Sequence, residues 1–213
     1  MSDSPVVPRP VAIVVGGGSG LGAAVVNRLA ARGWAVAIHA HASFAAARAV
    51  AEALVNRGVP ALAVTADLRE EGPVRALVHR VADHFGRIDA VVHCARLGRE
   101  IPLGDLTADD LRAAIDVGLV GMVVLAQEAG AAMAGQATGG TIVLVSAGGE
   151  PTPQSGRLAA AIVAAAIPAT ARALAVELAA SGVRVQAVET TANAPVDEAA
   201  AAVTDALVVV AGP

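Results

Sequence analysis

The chain contains no tyrosine, and all fifteen of its cationic residues are arginine, so it has no lysine either. A mechanism that needs a phenol hydroxyl, a Schiff base or an ammonium group is therefore excluded at the outset. One cysteine, Cys94, rules out an internal disulfide, and no Cys/His spacing supplies a zinc site, so no metal is expected. Aromatic residues make up 1% of the 213 residues and charged residues 16%, whereas hydrophobic residues reach 55%. The core is thus built from Ala, Val, Leu and Ile, which suits a parallel sheet covered by helices on both faces. A net charge of -4 with no run of like charges argues against nucleic acid as a partner.

What is present reads as one domain, long enough to bury roughly 70% of its unfolded surface. Residues 1–10 carry three prolines and no apolar run with a cationic flank, and read as a tail rather than a signal peptide. The domain takes up residues 11–213. The longest apolar helix pattern, Leu158 to Leu178, is interrupted by Pro168, Arg172 and Glu177, so it reads as a packed helix and not a membrane span. A cytoplasmic protein is expected.

Strand-like and helix-like segments alternate throughout. Val11 to Val15 runs into Gly16, Gly17 and Gly18, and Leu21 to Ala31 then repeats apolar residues at helical spacing. Trp34 to Ile38, Ala61 to Thr65, Ile88 to His93, Thr141 to Val145 and Val183 to Val188 read as further strands. Phe44 to Arg57, Pro73 to Phe85, Leu106 to Met133 and Gly156 to Ala180 read as the helices between them. Thr107 is a candidate cap ahead of Asp109 and Asp110. Val196 to Val210 reads as a last helix running into a short strand. Six or seven strands joined this way predict right-handed crossovers and a doubly wound parallel α/β sheet.

The loop Gly16-Gly17-Gly18-Ser19-Gly20-Leu21-Gly22 follows a strand and opens a helix, the context that a phosphate-binding turn needs. Its spacing is similar to that of the short-chain dehydrogenase/reductases, and other landmarks fall in step. Asp67 with Leu68 follows the third strand. Gly140 to Ser146 resembles the family's fifth strand, and Arg172 to Leu178 through Gly182 to Val185 resembles its helix-to-strand passage. The resemblance covers nearly the whole chain and implies a single-domain Rossmann fold.

It also locates the positions of the family's catalytic residues. The serine falls on Ala147, the tyrosine on Ala160, the lysine on Ala164 and the helix asparagine on Gly118. In active members the tyrosine donates a proton, the lysine lowers its pKa and the serine orients a carbonyl, none of which alanine can do. The family's Asn-Asn-Ala-Gly reads His93-Cys94-Ala95-Arg96, its Pro-Gly after the sixth strand reads Thr190-Thr191, and the substrate-covering loop is shortened before Val196. Val15 stands where the family usually has threonine. The adenosine and pyrophosphate end keeps the pattern.

The resemblance therefore implies a degenerate member that binds NADP through Gly16, Gly18, Ser19, Gly20, Leu21, Gly22, His41, Asp67, Leu68, Cys94 and Ala95. NADP is favoured over NAD because Ile38-His39-Ala40-His41-Ala42-Ser43 offers no carboxylate for a ribose 2′-hydroxyl. Arg48 lies near enough to reach a phosphate, but it reads as surface, as do His79 and His84. The bland reading of the glycines is that the turn packs only with them. The implied role is a non-redox or auxiliary subunit, in a homodimer or homotetramer or beside an active paralogue. Three rivals stay open: an enzyme for cyclisation, elimination or isomerisation using Ser146, His93 or Glu150; an NADPH carbonyl reductase that takes its proton from water; and a partner that binds no nucleotide. Gln154, Arg157 and Glu189 are further candidates for the cleft.

Overall fold

The computed structural model describes residues 9–95, 99–146, 154–191 and 194–207. Among them six strands form one parallel sheet in the order β3-β2-β1-β4-β5-β6. The strands are β1 (Val11–Val15), β2 (Ala35–His39), β3 (Ala61–Val64), β4 (Ala90–His93), β5 (Gly140–Ser146) and β6 (Val183–Glu189). The helices are α1 (Gly20–Ala31), α2 (Phe44–Val55), α3 (Glu71–Phe85), α4 (Ala108–Ile115), α5 (Gly121–Ala134), α6 (Leu158–Leu178) and α7 (Val196–Asp205). The order reverses between β1 and β4, and at such a point a crevice opens outside the carboxyl ends of the strands.

β1, β2 and β4 are buried on both faces, which is why their sequences are unbroken apolar runs rather than alternations. On one face Ala12, Val14, Ile38 and Val92 pack against Val25, Val26 and Leu29 of α1 and Val203 of α7. On the other, Ile13, Val91, Ile142 and Leu144 pack against α3, α5 and α6 through Val78, Met122, Leu125 and Ile167.

The expected long helix from Leu106 to Met133 is present but not uniform. Thr107 closes a capping box with Asp110, accepting from the Asp110 backbone N–H at 3.1 Å, and α4 and α5 are joined by a π-helical turn over Asp116–Val120. Gly118 sits in that turn because a Cβ there would strike Val163 of α6. The short strand expected at the end of Val196 to Val210 lies outside the described residues, which stop two residues beyond α7.

Ala108–Ala134 and Leu158–Ser181 are long and apolar enough to cross a membrane by length and composition. Here both lie against the sheet, burying Met122, Leu125 and Met133 from the first and Val163, Ile167 and Ala171 from the second.

Pro168 inside α6 withholds the N–H that the Ala164 carbonyl would accept from. The buried Ser146 hydroxyl, at the end of β5, donates to that carbonyl instead at 2.9 Å. Ser146→Ala is expected to cost about 1–3 kcal/mol, the penalty of a buried acceptor left without a partner. In a Pro168→Ala background the helix supplies its own N–H, and the same substitution should cost under about half as much. Urea unfolding of the four proteins measures the coupling, and additive effects would refute this role for Ser146.

Candidate functional site

The carboxyl ends of β1, β2, β4 and β5 open into one cleft of about 1480 Å³, walled on its far side by α4 and α6. That exceeds the about 300–1,000 Å³ of ordinary small-molecule pockets, so the cleft is sized for an extended ligand. Gly16, Ser19, Gly20, Leu21, Gly22, His41, Asp67, Leu68, Cys94 and Ala95 all line it. Gly18 does not. A Cβ at Gly18 would meet Ser43 Oγ at 2.9 Å and Ala40 Cβ at 3.2 Å, so this glycine lets the loop pack against the β2–α2 connection.

The two ends of the glycine loop are held by close backbone approach. Gly16 has φ +77°, and a Cβ on it would lie 3.0 Å from Ala95 Cα, which brings the end of β1 against the end of β4. A Cβ on Gly22 would collide with the carbonyl oxygen of Gly16. Ser19 precedes α1 without a side-chain cap, so no hydroxyl competes for the N–H groups of the first turn. Those groups have no partner within a helix and favour an anion beside them.

Asp67 lies at the mouth of this end. The Arg69 guanidinium grips both of its oxygens, with Nε at 3.0 Å from each, and holds its pKa down to about 2. His41 Nε2 stands 3.9 Å from the same carboxylate. Arg69 and Ser43 also line the cleft and were not foreseen; the only sign of Arg69 in the sequence is its position two residues after Asp67. Arg48 pairs with Glu52 at 3.2 Å on the surface and is not part of the cleft. His79 pairs with Glu128 at 2.6 Å and His84 packs on Phe85, both exposed as expected.

The opposite end is different in character. Ala113, Ala114, Val117, Ala160, Ala164 and Ile167 form its wall. Ser146 lines it too, but its hydroxyl is engaged by Ala164, and the Thr190 hydroxyl donates to the Ser146 carbonyl at 3.3 Å. Gln154, Arg157 and Glu189 line the cleft as expected; Gln154 and Glu189 are exposed, and Arg157 Nε lies 4.0 Å from Glu100. Arg96, Ala147 and Glu150 lie outside the described residues.

His93, a candidate acid or base on sequence grounds, is not on the cleft wall. It is buried in register with Val15, as is His39 on the other side, and neither of its ring nitrogens has a hydrogen-bond partner. Burial pushes its imidazole down to about 4. His39 is also lowered by burial; its Nε2 donates to the Ala66 carbonyl at 3.0 Å, which leaves Nδ1 without a partner. Among the described residues no group of three or more His, Cys, Asp or Glu could hold a metal ion.

A glycine loop between strand and helix at the switch point of a parallel sheet defines a nucleotide-cleft protein of the Rossmann type. The chain belongs to the short-chain dehydrogenase family, whose model matches residues 10–202. It is 37% identical over 179 residues to a cis-4-hydroxycyclohexanecarboxylate dehydrogenase of Sinomonas cyclohexanicum, covering 84% of this chain and 71% of that one. It is 35% identical over 136 residues to an uncharacterised oxidoreductase of Methylorubrum extorquens, covering 64% of this chain. The chain spans about half the length of that relative, 54%, and less of some others. A short-chain dehydrogenase of Burkholderia cenocepacia solved with NADP superposes with a TM-score of 0.83 at 30% identity, over 99% of this chain and 93% of that one.

Proposed function

We propose that this chain is an NADP-binding, non-redox member of the family that acts as an auxiliary subunit in the cytoplasm. The observation that carries the reading is the asymmetry of the cleft: a complete phosphate-binding and adenosine end is joined to a wall of alanines. The bound cofactor carries a hydride in the family's chemistry, given by NADPH and accepted by NADP. Here the first-turn amides of α1 would hold its pyrophosphate, and Asp67 and His41 would hold its adenosine. His41, Ser43 and Ser19 leave room for a 2′-phosphate without an opposing carboxylate at the end of β2. Two solved relatives carry NADP, the Burkholderia cenocepacia enzyme and a metagenomic short-chain oxidoreductase of TM-score 0.84 and 26% identity.

No tyrosine or lysine exists anywhere in the chain to donate or tune a proton. The rival non-redox enzyme is weakened as well, because the Ser146 hydroxyl is engaged and His93 lies beneath the cleft, not on it. The assembly expected of the family, a dimer or tetramer or a complex with an active paralogue, is supported by exposed Val120 in the π turn and exposed Ile162 and Val176 on α6.

Titration with NADPH is expected to raise Tm by about 5–10 °C at a hundred times Kd, with a smaller shift for NADH at equal concentration. No carbonyl compound should cause NADPH oxidation. Absence of any shift at millimolar cofactor would defeat the nucleotide reading, and carbonyl-dependent oxidation would defeat the non-redox one.

A further inference from the structure

Adenine carries an amino donor at its 6-position, and a free carboxylate accepts from such an amine. A 6-oxopurine, hypoxanthine or guanine, carries an oxygen acceptor there, which arginine meets instead. Asp67 stands at the adenosine end of the cleft, yet its carboxylate is already filled by one neighbour. The Arg69 backbone N–H lies 3.0 Å from Oδ1, its Nε lies 3.0 Å from both oxygens, and its Nη2 donates to Oδ2. A carboxylate offers about four lone-pair sites, and these hydrogen bonds occupy them. His41 Nε2, 3.9 Å from Oδ2, crowds the same group, and His39 fixes the turn before it by donating to the Ala66 carbonyl at 3.0 Å. Among the described residues the other two carboxylates of the cleft, Glu100 and Glu189, belong to its far end.

We propose that Arg69 removes the cleft's selection for adenine, so that it takes a nucleotide with a 6-oxopurine base at least as readily as one with adenine. The inference rests on the nucleotide reading above and concerns only the base. Asp67 still anchors that end of the ligand, but through the guanidinium it holds. Arg69 lines the cleft with half of its side chain exposed, and its Nη1 has no hydrogen-bond partner among the described residues. Glu70 and Asp116 act on it through charge alone. The group presented to the base is thus a donor where a bare aspartate would be an acceptor.

The test is isothermal titration of the full chain with NADPH and with reduced nicotinamide hypoxanthine dinucleotide phosphate, which share the 2′-phosphate and differ only at the purine edge. A hydrogen bond to a charged acceptor is worth roughly tenfold or more in affinity, so a free carboxylate would favour NADPH by about that factor. Here the hypoxanthine compound is expected to bind as tightly as NADPH or more tightly, and GDP as tightly as ADP. Arg69→Ala unloads the carboxylate, and the variant should prefer NADPH over the hypoxanthine compound by about tenfold. Its binding of NADPH shows that the fold is intact. A wild-type preference for NADPH of about tenfold, or the same ratio in the wild type and in Arg69→Ala, overturns the proposal while leaving the nucleotide reading standing. If neither dinucleotide binds the wild type, both fall together.

Discussion

Gly22→Ala is expected to abolish the NADPH-induced rise in Tm and to lower the Tm of the free protein by about 6–12 °C. The added methyl would occupy the position of the Gly16 carbonyl oxygen and come within 3.0 Å of Gly17 Cα, so backbone rather than a flexible side chain must move. Overpacking of this kind costs about 3 kcal/mol, and in a chain of this length each kcal/mol shifts Tm by about 2–4 °C. The displaced loop can no longer present the first-turn amides to an anion. Gly20→Ala provides the contrast. Gly20 has φ +51° but open space around the position of a Cβ, so alanine there meets only the left-handed backbone penalty, about 1–2 kcal/mol. The nucleotide shift should survive in Gly20→Ala at reduced size. If the two variants behave alike in both Tm and binding, the close approach of Gly16 to Gly22 is not what shapes the cleft.

Acid is expected to destabilise the protein between pH 6.5 and about 4, a loss that begins well above the range in which carboxylates titrate. His93 is fully buried and its imidazole is lowered to about 4, against 6.5 in an unfolded chain. Below pH 6.5 the unfolded chain binds a proton that the native protein refuses, so stability is complete above 6.5 and falls as pH drops. The loss from His93 amounts to about 2 kcal/mol at pH 5 and about 3 kcal/mol at pH 4. His39, lowered for the same reason, adds to it in the same direction. Asp67 titrates in a separate window: held to about 2 by Arg69, it contributes stability above 3.8 that is lost only as pH falls through that lower range.

His93→Leu removes two ring nitrogens that have no partner and replaces them with carbon of similar volume. The variant should match or exceed the wild type at pH 7.5 and lose about 2 kcal/mol less than the wild type on going to pH 5. Urea midpoints at the two pH values decide it. Parallel losses in both proteins would place the acid sensitivity elsewhere.

Much of the fold was legible because it is encoded at short range. Strands buried on both faces appear as runs such as Val11 to Val15 and Ala90 to His93, and helices as 3.6-residue periodicity between them. Boundaries differ by one or two residues in most elements, as at β2 and α6, because the ends of elements are set by neighbours rather than by propensity. The need for glycine in the π turn at Gly118 was not legible, since the side chain that leaves no room for a Cβ there is Val163 on another helix. Gly18 was assigned to the cleft with the rest of its motif, although its real neighbours are Ala40 and Ser43 across the loop. Ser146 and His93 looked like candidates for chemistry because they are polar residues at strand ends. The first is tied to a carbonyl that Pro168 leaves open, and the second is buried beneath the cleft.

The sequence by itself therefore determined the order of strands and helices, the position of the phosphate-binding loop, and the absence of every tyrosine and lysine. These follow from residue identity and from spacing within a few turns of chain. Only the tertiary structure decided which glycines line the cleft and which merely pack, that Arg69 grips Asp67, and that the two hydroxyls at the far end are already engaged. It also decided that His93 is buried without a partner. Each of these depends on where a group's partner lies, and a buried polar group takes its partner from whichever distant segment the packing brings within about 3 Å.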